Sequence, residues 1–134
     1  MHHRDRIGDY YLLPGGGVHN GEDLASALQR ECMEEANARI TVGDIVFVRD
    51  YIEDNHEFAG NKPGFHQVEI MFSCKLMNPE GIIVGAEPDA RQIGFNWLPV
   101  DRLGEYRLYP KVLIDKIQDL YAKKKSLIYL GDVN

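Results

Sequence analysis

The sequence predicts one α+β domain, an α/β/α sandwich of helices around a mixed sheet. Three observations lead there. The chain has 134 residues, a one-domain length that still buries a proper core. Strand-type runs rich in branched and aromatic residues recur at 7–13, 39–53, 66–76 and 92–98. Two amphipathic helical stretches accompany them, one after Asp23 and one after Pro110.

Taken in order, the polar start MHHRDR gives way to IGDYYLL, the first full strand. Pro14-Gly15-Gly16-Gly17 then forces a turn and lets backbone approach a ligand closely. Asp23 is the candidate N-cap of the first helix, and Glu22 beside it suits the positive helix end. In the strand over 39–53, Ile45 to Val48 is nearly continuous apolar sequence, which marks a central position. A polar loop over 54–64, carrying His56, Phe58 and Lys62, is long enough to reach a substrate.

The clearest pattern follows. Val68, Ile70, Phe72, Cys74 and Leu76 alternate with Gln67, Glu69, Met71, Ser73 and Lys75. That period of two predicts a strand with its apolar face buried, antiparallel to the one before it. Asn78-Pro79-Glu80-Gly81 makes a turn, 87–91 is polar, and the strand over 92–98 ends near Trp97, expected in the core. Pro110 opens the last helix, with Leu113, Ile114, Ile117, Leu120 and Tyr121 as its apolar side. Lys123-Lys124-Lys125 closes it against the helix dipole, and 127–130 suits a last short strand.

Composition narrows the function. Hydrophobic content of 44% and charged content of 27% are ordinary for a globular protein. A net charge of −6 disfavours an extended nucleic-acid partner, since it repels phosphates wherever no cation intervenes. No apolar run is long enough to span a membrane, and no signal peptide is visible. Cys32 and Cys74 occupy apolar positions and are expected as buried, reduced thiols of a cytoplasmic protein.

The chemistry concentrates in the first helix. At about 100° per residue, Leu24, Leu28, Cys32 and Ala36 form an apolar arc, and Glu31, Glu34 and Glu35 fall along its border. Like charges at i,i+3 and i,i+4 cost roughly 0.2–0.5 kcal/mol per pair on an exposed helix, and partial burial raises that. A divalent cation reverses the sign, and carboxylate oxygens suit Mg²⁺ or Mn²⁺. A solvated acidic face beside Arg30 and Arg39 is the alternative from the helix alone.

Gly16, Glu22 and the run Arg30-Glu31-Cys32-Met33-Glu34-Glu35 together resemble the Nudix hydrolase box, G-x5-E-x7-R-E-U-x-E-E-x-G-U, where U is a bulky apolar residue. Asn37 replaces the last glycine, at a helix C-terminus where Asn is the usual second choice, and Ala38 is a small U. The segment from Trp97 to Leu103 is similar to the W-x-P-x-x-x-L stretch after the last core strand of many relatives. Relatives carry a strand, a turn and most of a second strand before the box, whereas this chain has about a dozen residues there, so its N-terminal strands are expected to be shortened or missing. An uncovered sheet edge would follow, and with it a possible homodimer.

The resemblance implies metal-dependent hydrolysis of a diphosphate linkage in a nucleoside diphosphate joined to another group, X. It makes Glu31, Glu34 and Glu35 the metal ligands, with a Gly16 backbone group completing the shell and Mg²⁺ or Mn²⁺ as cofactor. One of these three, with Glu34 and Glu35 as the catalytic candidates, or a carboxylate from a later loop helps deprotonate the attacking water, and Arg30 holds Glu31 or Glu22 in place. Glu87, in the polar segment ahead of Trp97, is a candidate loop base, and Glu69 an alternative ligand. Gln92 stands where relatives often have Glu. His19 and His66 are candidates for phosphate contact, and Tyr10, Tyr11, Tyr51, Phe58 and Phe65 for stacking a base. The substrate expected is a small nucleotide. The rival reading is a Nudix-like nucleotide sensor or interaction domain without turnover, although such relatives commonly lose part of the box that this chain keeps.

Overall fold

The computed structural model describes residues 1–57, 59–60, 62–81 and 91–134. The elements are β1 (His2–Arg4), β2 (Asp9–Leu12), α1 (Leu24–Ala36), β3 (Ile40–Ile52), β4 (His66–Leu76), β5 (Gln92–Gly94), β6 (Leu108–Tyr109), α2 (Leu113–Tyr121) and β7 (Tyr129–Asp132). They form a mixed α+β fold in which the expected sheet is divided in two, with strand orders β5-β1-β2-β6 and β4-β3-β7. Each sheet is mixed, since β2 runs parallel to β6 and β3 parallel to β7 while the other pairings are antiparallel. The central place expected for residues 45–48 is the one β3 takes.

Two apolar clusters hold the layers together. Phe47, Leu103, Leu108 and Leu113 are buried with Tyr11, Met71, Ile114 and Ile117 around them, which joins both sheets to α2. Burying one such side chain stabilises by about 1.5–3 kcal/mol, so this cluster dominates the core. Cys32, Ala36 and Ala38 form the second cluster with Leu28, Ile40, Leu76 and Phe95, and it seats α1. The N-terminus is not an edge. β1 lies between β5 and β2, and the Met1 ammonium donates to the Leu12 carbonyl at 2.6 Å.

Five expectations are corrected. In β4 the apolar face is open over much of its length: Val68 is 59% exposed, Ile70 is 36% exposed, and Cys74 is also exposed, while Leu76 packs beside α1. Register explains this, because Met71, Glu69 and Gln67 pair with Phe47, Arg49 and Tyr51 and share their side of the sheet. Phe47 and Arg49 are buried, and the Arg49 guanidinium draws Glu69 inward through bonds of 2.7 and 3.0 Å. Only Cys32 is therefore a buried thiol, pushed up to about 12 by burial. The strand expected over 92–98 stops at Gly94, because its ladder partner β1 has three residues. Trp97 lies beyond that ladder and is 78% exposed, not a core residue. Leu24, expected on the apolar arc, is likewise exposed in the first turn of α1.

The last strand is fastened by side chains as well as by its ladder to β3. Asp132 accepts from the Ile52 amide at 3.0 Å and from Asn55 at 2.6 Å, and meets His56 at 2.6 Å. Tyr129 donates to Asp50 at 2.5 Å, and Arg49 donates to the Val133 carbonyl. The bonds from Asn55 and His56 hold the Asp132 carboxyl down to about 2, against an ordinary 3.8. A lowered folded-state value means that the fastening is complete above 3.8 and is lost as pH falls through about 2. Amide exchange should therefore show β7 losing protection in that window, and Asp132→Asn should remove this pH dependence. Protection of β7 that stays level from pH 3.8 to about 2 would contradict the fastening.

Candidate active site

Local capping fixes the helix that carries the acids. Asp23 is the N-cap of α1 and accepts from the Ser26 amide at 2.7 Å. At the other end Asn37 takes the left-handed conformation, φ 49°. Its amide donates to the Met33 carbonyl and the Ala38 amide to the Cys32 carbonyl, both at 3.0 Å, which satisfies carbonyls the helix end would leave open. The Asn37 side chain also donates to the Gly81 carbonyl at 2.8 Å, and Asn78 donates to the Asn37 carbonyl at 2.9 Å. Asn thus supplies the turn glycine would give and adds an anchor glycine lacks.

Arg30 gathers the acids. Its Nε and Nη2 bind Glu22 at 2.8 and 3.1 Å, and Nη2 also donates to the Gly17 carbonyl at 2.8 Å. Nη1 donates to Glu31 at 2.8 Å and to Glu34 at 2.9 Å. The side chains of Arg30, Glu22 and Glu31 are at most 21% exposed, so these bonds are only partly screened by water. The Arg30 bonds, helped by the His19 amide at 2.9 Å, draw the Glu22 carboxyl down to about 2. Its link to Arg30 is therefore complete above the ordinary 4.5 and fails only as pH falls towards about 2.

Glu35, one turn after Glu31, is 3% exposed. Its carboxylate accepts from the Gly15 amide at 3.1 Å, and its main-chain carbonyl accepts from Gln92 at 3.2 Å. The glycine turn is pressed against the same helix. A Cβ placed on Gly16 would run into the Glu31 carboxylate, so position 16 admits no side chain without moving Glu31.

Chemically, Glu31, Glu34 and Glu35 with the Gly16 backbone offer hard oxygen donors of the kind Mg²⁺ and Mn²⁺ take. Among the described residues, no group of three or more His, Cys, Asp or Glu stands ready-made around one metal position. Arg30 Nη1 lies between Glu31 and Glu34 instead. The donor set fits a divalent cation provided that Nη1 yields its place, and Glu22 and Gly17 retain the guanidinium when it does.

Other candidates fall elsewhere. Glu69 bonds Arg49 and Gln67, and none of its bonds reaches α1. Glu87 and Phe58 lie outside the described residues. His19 stands 4.0 Å from Glu22, while His66 is paired with Asp50. Tyr11 packs in the main core, and Tyr51 stacks on His56. Tyr10 stacks on His3, with Arg107 over its face. A surface hollow of about 570 Å³ is lined by α2, the residues just after it and the 3-10 turn Val100–Glu105, and includes none of the box acids. Three contacts were not foreseen: the Gly17 carbonyl and Gly15 amide as partners of the acidic helix, and the Gln92 tie to Glu35. The glycine run was a signal of close approach, but which main-chain groups it would present depends on the fold.

A family model described as NUDIX domain matches residues 1–117. Among solved structures, the chain is similar to the crystal structure of a NUDIX hydrolase from Nitrosomonas europaea. Identity is 20% and the TM-score 0.57, with 89% of this chain and 60% of that one covered. That is a likeness of fold, and the chain spans 60% of the neighbour's length. No curated protein matches.

Gly16→Ala tests the close approach. Gly16 carries no positive φ and the group it would displace is the end of a flexible side chain. Stability should change by less than about 1 kcal/mol in thermal unfolding. Mn²⁺ affinity, read by titration calorimetry, should fall at least about tenfold. Unchanged affinity would mean that the Gly16–Glu31 approach has no bearing on the site.

Proposed function

The chain belongs to the NUDIX family, and on that premise we propose that it hydrolyses the diphosphate linkage of a nucleoside diphosphate joined to another group, X, using Mg²⁺ or Mn²⁺ held by Glu31, Glu34 and Glu35. The observation that carries this reading is the Arg30 hub. One guanidinium reaches Glu22, Glu31 and Glu34 together, so the box residues form one constellation and not a loose acidic surface.

When bound, the cation neutralises charge on the bridging phosphates and makes a water acidic enough to attack. The chain's own part is to orient and to move a proton. Glu34 or Glu35 accepts the proton of the attacking water, Arg30 is a positioning residue, and Glu22 anchors Arg30. Glu87 stays a candidate loop base. Glu69 is left out of the ligand set because Arg49 engages both of its oxygens. A small nucleotide suits a chain of net charge −6 better than an extended nucleic acid. Among the described residues, no helix is long and apolar enough to cross a membrane. A cytoplasmic place is supported by two free cysteines, and a homodimer by the apolar strand face left open.

A nucleotide panel coupled to phosphate release should show turnover that needs Mg²⁺ or Mn²⁺ and stops with chelator. Glu34→Gln and Glu35→Gln should each lower kcat by about 100-fold or more while the fold survives. Full activity in either variant would remove that residue from the mechanism. Saturable nucleotide binding with no turnover across the panel would favour the sensor.

A further inference from the structure

Asn20-Gly21 is the one Asn-Gly pair of the chain, and it forms the tip of the loop between the glycine turn and α1. Both residues are exposed. The Glu22 amide donates to the His19 carbonyl at 3.0 Å, and the His19 amide donates to the Glu22 carboxylate at 2.9 Å. These bonds close the loop but leave its tip out. Among the described residues, no hydrogen bond engages the Asn20 carboxamide or the Gly21 amide. Gly21 holds φ at 90°, and no atom lies within 4 Å of the place a Cβ would take. An unhindered amide nitrogen thus follows a carboxamide that nothing restrains.

We propose that Asn20 is a site of spontaneous deamidation, and that its isoaspartyl product unfastens Arg30 from the loop. The Gly21 amide nitrogen loses its proton to hydroxide and attacks the side-chain carbonyl carbon of Asn20. A nitrogen–carbon bond forms and the bond to the carboxamide nitrogen breaks. Ammonia leaves after taking a proton from water, which returns the hydroxide. Water then opens the cyclic imide. Cleavage at the main-chain carbonyl leaves isoaspartate, with the chain running through the former side chain, and cleavage at the side-chain carbonyl leaves aspartate. Each conversion consumes one water and releases one ammonia.

Position gives the change its effect. Arg30 Nη2 is held by the Gly17 carbonyl at 2.8 Å and by Glu22 at 3.1 Å, and Nε by Glu22 at 2.8 Å. Asn20 lies on the chain between those two anchors. Isoaspartate lengthens the main chain there by a methylene and sets a carboxylate two residues from Glu22. The short closure between His19 and Glu22 opens, and Glu22 and Gly17 no longer share one guanidinium edge. Aspartate adds the charge without the methylene and leaves the loop closed.

Wild-type chain aged in mildly alkaline buffer should gain about 1 Da in the peptide holding Asn20, and a protein-isoaspartate methyltransferase should label that peptide. Asn20→Ser, aged alongside, should do neither. In the aged protein the His19 and Glu22 amides should exchange at least about tenfold faster than in fresh protein, whereas Asn20→Asp should keep the fresh rates. Mn²⁺ affinity, the arm that rests on the metal reading, should fall at least about tenfold on ageing and stay within about twofold in Asn20→Asp. An Asn20 peptide of unchanged mass overturns the site. Conversion with unchanged exchange at His19 and Glu22 overturns its link to Arg30. Fresh protein that binds no Mn²⁺ counts against the metal reading, while mass and exchange, read without metal, still decide the deamidation.

Discussion

One guanidinium sets the terms for this site. Glu31 and Glu34 lie on α1 at the border of its buried face, and Glu22 enters from the loop before it. Without a counter-charge, the helix would set acids side by side in a partly desolvated place, where repulsion is weakly screened. Arg30 removes that repulsion by bonding all three from one side chain, and it ties them to the glycine turn through the Gly17 carbonyl. A planar fork with several donors can do this; a lysine, as a point charge, cannot hold the same geometry. The guanidinium is divided in its tasks. Its Nε–Nη2 edge is fixed by Glu22 and Gly17, while Nη1 alone bridges the two carboxylates that a cation would claim.

The rest of the fold keeps this arrangement rigid. Cys32 and Ala36 seat α1 against Ile40, Leu76 and Phe95, small residues letting the helix come close. Glu35, from the same helix, is buried and reaches the Gly15 amide, which gives the turn a second link to the helix beside that of Arg30. Asn37 fastens the helix end to the turn at Gly81, and Gln92 joins the four-stranded sheet to the Glu35 carbonyl. Acids on a capped, packed helix are held more narrowly than acids on a loop, which is what positioning a water against phosphate needs.

Features set by local chemistry could be read from the sequence. Asp23 as N-cap, Asn37 in the left-handed conformation, β4 over its full length, and the register of Gly16, Glu22 and Arg30 with the acids all follow from short-range rules. Features set by what packs on what could not. Alternation in β4 announces a two-faced strand, yet the buried side is chosen by Phe47 and Arg49 on β3, and Arg49 takes Glu69 inward. Trp97 is apolar enough for a core, but the ladder that would carry it inward ends at Gly94 with β1. The open edge expected at the N-terminus is not found, since β1 is flanked on both sides by β5 and β2.

The central claim is that Arg30 assembles the box acids into a site that a divalent cation can enter. Mn²⁺ titration followed by electron paramagnetic resonance reads this directly, with no substrate present. The wild-type chain should bind Mn²⁺ saturably, and Glu31→Gln and Glu34→Gln should each lose that binding. Binding that is absent from the wild type, or that survives unchanged in both variants, would contradict it.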